Sequence, residues 1–132
     1  MKLKVGYEEL VRRAEAEIET LSAEAVIKLR EDPNVQIVDL RDVRELQREG
    51  KIPGAMHVPR GMLEFWIDPE SPYYKPIFES GKQFIFHCSK GWRSALSTQT
   101  AQMMGLPKVA HIGGGLEAWV AAGGPIEKSE AK

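Results

Sequence analysis

The sequence predicts an α/β domain whose central, mostly parallel sheet is covered by helices on both faces. Three observations carry this expectation. Short β-branched or aromatic runs at residues 35–40, 82–87 and 109–112 alternate with segments of helical periodicity. Clusters of Gly, Pro, Asp and Asn punctuate them. The chain has 132 residues and is 42% apolar, which suits a single core.

Leu10, Val11, Ala14 and Ile18 recur at helical spacing and predict an amphipathic first helix. It forms an extension over residues 1–17, ahead of a main domain at 18–126. Leu21 and Ser22 open a second helix, with Ser22 as N-cap and Leu21 placed to staple onto Val26. Ile27 and Leu29 continue it, and the turn residues 31–34 stop it. Residues 35–40 form a buried strand, 41–51 a charged loop with a short solvated helix, and 52–54 a turn. A weak strand at 55–58 ends at Pro59. Residues 61–81 carry Phe65, Trp66, Tyr73, Tyr74 and Phe78 among three prolines. They read as a short helix near 62–66 followed by an irregular connection. Residues 82–87 form the clearest strand. A helix over 94–104 places Ala95, Leu96, Met103 and Met104 on one side. After the strand at 109–112, Gly113, Gly114 and Gly115 predict a tight backbone crossing. A last helix covers 116–122 with Trp119 in the core, and the tail 127–132 frays.

Eighteen basic residues against nineteen acidic ones give a net charge of −1, which argues against a bulk grip on nucleic acid or on an anionic membrane. No stretch approaches a membrane span and no apolar signal segment is visible, so a soluble, cytoplasmic protein is expected. The single cysteine, Cys88, excludes an internal disulfide and a cysteine-based metal cluster. Neither a metal nor an organic cofactor is expected.

Ligands of open α/β sheets bind beyond the carboxyl ends of the strands. Cys88 sits in such a place, in the run His87-Cys88-Ser89-Lys90-Gly91-Trp92-Arg93-Ser94 between the clearest strand and a helix. Three effects favour its thiolate: the helix N-terminus, converging loop amides, and the charges of Lys90 and Arg93. Gly91 suits the sharp turn. Against this stand plainer roles, a small buried hydrophobe for Cys88 and solvated surface charge for Lys90 and Arg93.

This loop resembles the active loop of the rhodanese family. Asp39-Leu40-Arg41 is similar to the end of the family's early strand. Glu45 followed by residues 50–55 resembles its Gly-His-Ile-Pro-Gly-Ala signature, with Lys51 in place of the histidine. Gly113-Gly114 with Trp119 resembles its C-terminal segment. The resemblance implies a three-layer rhodanese-like domain with a five-stranded sheet. It also implies transfer of sulfane sulfur from thiosulfate, or a similar small anionic donor, to a thiol or cyanide through a Cys88 persulfide. The acceptor would be a small thiol or a sulfur-carrier protein. Ser89, Lys90, Gly91, Trp92 and Arg93 would then bind the donor, the amides stabilising the persulfide and the two cations attracting the anion.

Related phosphatases of the same fold use Cys-x5-Arg. Here Cys88-x4-Arg93 makes a smaller ring, which favours a sulfur atom over a tetrahedral oxyanion. An arsenate reductase is disfavoured as well, because that chemistry usually needs a second thiol. A non-catalytic or sulfur-relay interaction module is the rival from outside the enzymes.

Asp39, Arg41, Arg60, Phe65 and Trp66 are possible pocket residues. A structural ion pair is the favoured role for Asp39 and Arg41, and a surface position for Arg60. Phe65 and Trp66 either pack in the core or wall the Cys88 site. His87 should be packed or hydrogen-bonded, because alternation turns it away from Cys88. His57 and His111, at other strand ends, could border the pocket.

Overall fold

Phe84 and Phe86 belong to one apolar cluster and Ile85, between them, to another, and this alternation divides the molecule into layers. A computed structural model describes residues 1–129. Its sheet has five strands: β1 (Glu19–Leu21), β2 (Val35–Asp39), β3 (Met56–His57), β4 (Gln83–His87) and β5 (Val109–Ile112). Their spatial order is β1-β5-β4-β2-β3. Every pairing is parallel, so β4 is central and its flanks are β2 and β5.

The described residues also form six α-helices: α1 (Tyr7–Glu17), α2 (Ala23–Leu29), α3 (Val43–Glu49), α4 (Leu63–Ile67), α5 (Trp92–Met103) and α6 (Gly115–Ala121). On one face Val38, Phe84 and Phe86 pack with Leu63 and Ile67 of α4, Phe78, and Ala101 of α5. On the other, Ile37, Ile85 and Ile112 pack with Ala23 and Val26 of α2 and with Leu116 and Trp119 of α6. Burying a side chain such as Phe84 or Ile85 contributes about 2 kcal/mol relative to exposure. α1 lies outside this plan and packs Val11 and Ala14 against Ala95 of α5.

Ser22 caps α2 as expected, its hydroxyl accepting the Ala25 N–H at 3.1 Å. Leu21 packs in the same cluster as Val26. The segment just before this cap differs from the sequence expectation. Glu19, Thr20 and Leu21 form the edge strand β1, too short and too polar to announce itself as a strand. Met103 and Met104 are exposed, and α5 buries its small residues Ala95, Thr98 and Ala101 instead. Periodicity weights the large apolar residues, whereas close approach to the sheet selects the small ones. Glu127, the first residue of the expected tail, exchanges two backbone hydrogen bonds with Lys51, at 2.9 and 2.8 Å. The remainder of the expected tail, residues 130–132, lies outside the described residues. No helix among the described residues is long and apolar enough to cross a membrane.

Candidate active site

Cys88 follows the central strand, and its side chain is buried with only 1% of its surface exposed. The turn that carries it is built by glycine. Gly91 has φ 99° and caps α5, which begins at Trp92, two residues before Ser94. On the far side, the carbonyls of Cys88 and Ser89 accept the N–H groups of Leu116 and Glu117 at 2.8 and 3.2 Å. Peptide units are planar and trans, so the Ser89 and Lys90 N–H groups point the opposite way. Gly115 makes this approach possible. Its φ is 61°, and a Cβ there would lie 2.5 Å from the Cys88 carbonyl oxygen.

Two amides converge on the sulfur. Gly91 N–H donates to Cys88 Sγ at 3.2 Å and Ser94 N–H at 3.4 Å. The Ser94 hydroxyl oxygen lies 3.6 Å from the same sulfur. Both amide donors lie at the N-terminus of α5.

Arg93 does not face the loop interior as a free cation. It gives two guanidinium N–H groups to Glu45 of α3, at 2.7 and 3.0 Å. Ser89 donates its hydroxyl to the same carboxylate at 2.9 Å. Arg93 holds the Glu45 carboxyl at about 2, well below its ordinary value, against the opposing effect of burial. Glu45 also caps α3 in a capping box with Asp42. In the sequence Glu45 stood out only as part of the family signature. Its bridge to a loop 48 residues away had no local signal.

Lys90 and Trp92 are exposed at the rim. The Lys90 ammonium sits 5.5 Å from the Trp92 ring centroid, and the Tyr7 ring of α1 lies 5.0 Å from the same indole. Asp39 and Arg41 form a fully buried pair, Nη2 to Oδ2 at 2.8 Å, and Arg41 also reaches the Gly50 carbonyl. Burial opposes the Asp39 charge most strongly, but the hydrogen bonds and charge of Arg41, together with His87, hold the carboxyl below its ordinary value. His87 is fully buried between Asp39 Oδ2, at 3.5 Å, and the Cys88 carbonyl, at 3.3 Å. Burial pushes its pKa down, so it is neutral. His57 binds the Arg41 carbonyl at 2.7 Å.

Trp66 is half-buried against the cluster of Leu63, Ile67 and Phe78, with the Lys75 ammonium 5.0 Å from its ring centroid. Phe65 is exposed. Arg60 borders a cavity of about 60 Å³ with Glu64, Ser97 and Thr100, on the flank of α5. His111 contacts Ser94 and so belongs to the surroundings of Cys88. A larger cavity, about 580 Å³, opens near Phe84 at the amino end of β4, the end opposite Cys88. Among the described residues no group of three His, Cys, Asp or Glu side chains is placed to hold a metal.

The sequence profile of the rhodanese-like domain matches residues 22–122. The chain belongs to the rhodanese-like domain family. It is 26% identical over 103 residues to thiosulfate sulfurtransferase/rhodanese-like domain-containing protein 3 of Mus musculus. That match covers 74% of this chain and 66% of the mouse protein. It is 25% identical over 107 residues to the thiosulfate:glutathione sulfurtransferase of Homo sapiens, covering 76% of this chain and 92% of the human one. Among solved structures, it is similar to a protein of unknown function, a possible tyrosine phosphatase, from Rhodopseudomonas palustris CGA009. The two share 53% identity and a TM-score of 0.92 over 96% of this chain and 98% of that one. Family membership supports a sulfurtransferase-type enzyme as the class. In this rhodanese-like chain Asp39 and Arg41, two residues of the family resemblance, form a buried pair, and Gly115 lies against the Cys88 carbonyl.

Proposed function

We propose that this protein is a sulfurtransferase that carries sulfane sulfur as a persulfide on Cys88. The observation that carries this reading is the convergence of the Gly91 and Ser94 amides on one buried sulfur. The Cys88 thiolate attacks the outer sulfur of thiosulfate or a similar anionic donor. A Cys88 S–S bond forms, the donor's S–S bond breaks, and sulfite leaves with the bonding pair. An acceptor thiolate or cyanide then attacks the outer sulfur, and the Cys88 thiolate departs. Charge balances in both steps, and no cofactor takes part. The loop amides stabilise the anionic persulfide. Lys90 supplies the rim charge that draws in the donor, while Arg93 organises the loop through Glu45. Thiolate chemistry of this kind suits a reducing, cytoplasmic setting.

The similarity to a possible tyrosine phosphatase gives a second reading, phosphate-ester hydrolysis on the same cysteine. Two features oppose it. The loop from Cys88 to Arg93 has only four intervening residues. The Arg93 guanidinium, which a phosphate would need, is bound to Glu45. Paired assays separate the readings. Thiocyanate should form from thiosulfate and cyanide with native protein and not with Cys88→Ser, and an aryl phosphate should remain intact. Aryl phosphate turnover without thiocyanate formation would replace this proposal with the second reading.

A further inference from the structure

Behind Cys88 a line of hydrogen bonds leaves the loop and ends at the protein surface. Ser94 Oγ, 3.6 Å from Cys88 Sγ, is 2.9 Å from His111 Nδ1. His111 Nε2 is in turn 3.1 Å from Thr20 Oγ1. Cys88, Ser94 and His111 are buried, whereas Thr20 is exposed on the edge strand β1. Register explains the line. Thr20 and His111 are directly paired across β1 and β5. Ser94 sits on the first turn of α5, which packs over β5.

We propose that His111 is a positioning residue that turns the Ser94 hydroxyl onto the Cys88 sulfur when the thiol ionises. This rests on the reading of Cys88 as the nucleophile. Burial holds the His111 pKa down to about 4, so the ring is neutral and has one donor and one acceptor nitrogen. Two arrangements satisfy every link. With the proton on Nε2, His111 donates to Thr20, accepts the Ser94 O–H at Nδ1, and leaves Ser94 Oγ to accept the Cys88 S–H. With the proton on Nδ1, the direction reverses. Thr20 donates to Nε2, Nδ1–H donates to Ser94, and the Ser94 O–H points at the thiolate.

Passing from the first arrangement to the second moves one proton across each link. The proton lost by Cys88 is balanced by one released from the Thr20 hydroxyl to water. The thiolate thereby gains a third donor beside the Gly91 and Ser94 amides, in a site where a hydrogen bond to a charged group is stronger than one between neutral groups. The charged groups facing the sulfur from other elements are matched within themselves. Arg93 of α5 pairs with Glu45 of α3, and Asp39 of β2 pairs with Arg41. His87 of β4 is neutral, and Lys90 lies out at the rim. Ser94 and His111 thus form the one link from the sulfur that can reverse its direction among the described contacts.

The test is the pH dependence of Cys88 alkylation by iodoacetamide, which needs no sulfur donor. A failure of sulfur transfer therefore leaves this readout intact. Ser94→Ala and His111→Phe should each move the midpoint of the profile up by about one pH unit, roughly a tenfold smaller thiolate fraction on the acid side. His111→Asn, whose amide N–H can replace Nδ1–H toward Ser94, should stay near the native midpoint. A native midpoint in folded Ser94→Ala or folded His111→Phe would overturn the proposal. Nitrogen-15 NMR of the native protein gives a measurement that needs no variant. The His111 proton should move from Nε2 to Nδ1 across the alkylation midpoint, and a ring that keeps one tautomer throughout would also overturn it.

Discussion

Arg93 Nη1 lies 2.7 Å from Glu45 Oε1, so the cation at the end of the Cys88 loop is neutralised by α3. Ser89 donates to the same carboxylate, which makes Glu45 the anchor for both ends of the loop. The pair is partly exposed, and its direct contribution is discounted for solvent screening to about 1 kcal/mol. Glu45→Gln should lower stability by about that amount in urea titrations at neutral pH. It should also slow sulfur loading by about tenfold, because the loop loses its fixed geometry. The folded Glu45 carboxyl lies at about 2 against an ordinary 4.5. Its contribution is therefore present above pH 4.5 and is lost as pH falls toward 2. The native protein should show this acid-side loss and Glu45→Gln should not. Equal stability and equal loading in the variant would show that the anchor does nothing.

The buried histidines predict a second acid effect at higher pH. His111 is held at about 4 against an ordinary 6.5, and His87 is shifted in the same direction. The unfolded chain takes up protons at these sites before the folded one does. Stability is thus complete above pH 6.5 and falls as pH drops toward 4. For His111 alone the loss between neutral pH and pH 5 is about 2 kcal/mol. Urea midpoints measured across this range should fall steadily, and His111→Asn should flatten the slope. A native curve that is level from pH 7 to about 5 would contradict the assignment of both rings as neutral.

Gly115 is where the last helix meets the active loop. Its φ of 61° and the 2.5 Å approach to the Cys88 carbonyl leave no room for a side chain. Gly115→Ala should cost about 2–4 kcal/mol and disturb the loop carbonyls that Leu116 and Glu117 hold. Gly54→Ala is a fair comparison, since Gly54 also has positive φ but has nothing near its Cβ position. The expected outcome is a mild stability loss with normal sulfur loading at Gly54, and loss of both at Gly115. Similar losses at the two sites would mean that backbone strain alone, and not contact with the loop, makes Gly115 necessary.

Tyr7 and Trp92 tie the N-terminal helix to the loop rim, with ring centroids 5.0 Å apart. A double-mutant cycle of Tyr7→Ala and Trp92→Ala should give a coupling of about 1 kcal/mol. Additive effects would mean that the pair is only a surface coincidence.

Strong strand patterns made the architecture legible. The β4 segment Phe84-Ile85-Phe86 alternates between the two cores, and Val38 and Ile37 do the same in β2. The position of Cys88 at a strand-to-helix turn followed from that pattern directly. Less was legible where the cause is tertiary. Thr20 is a strand residue only because β5 lies beside it. Met103 and Met104 face solvent because α5 packs too closely on the sheet to bury them. The partnerships of Glu45 with Arg93 and of Ser94 with His111 join residues far apart in sequence, and no local pattern encodes them. The Asp39–Arg41 pair was legible because two residues of one strand end can meet without help from the rest of the fold.

The central claim is that Cys88 holds sulfur covalently. Intact-mass measurement after incubation with thiosulfate tests it most directly. Native protein should gain the mass of one sulfur atom, lose it on addition of a thiol, and show no gain as Cys88→Ser. Native protein that gains nothing, or a Cys88→Ser variant that gains the same mass, would contradict the account.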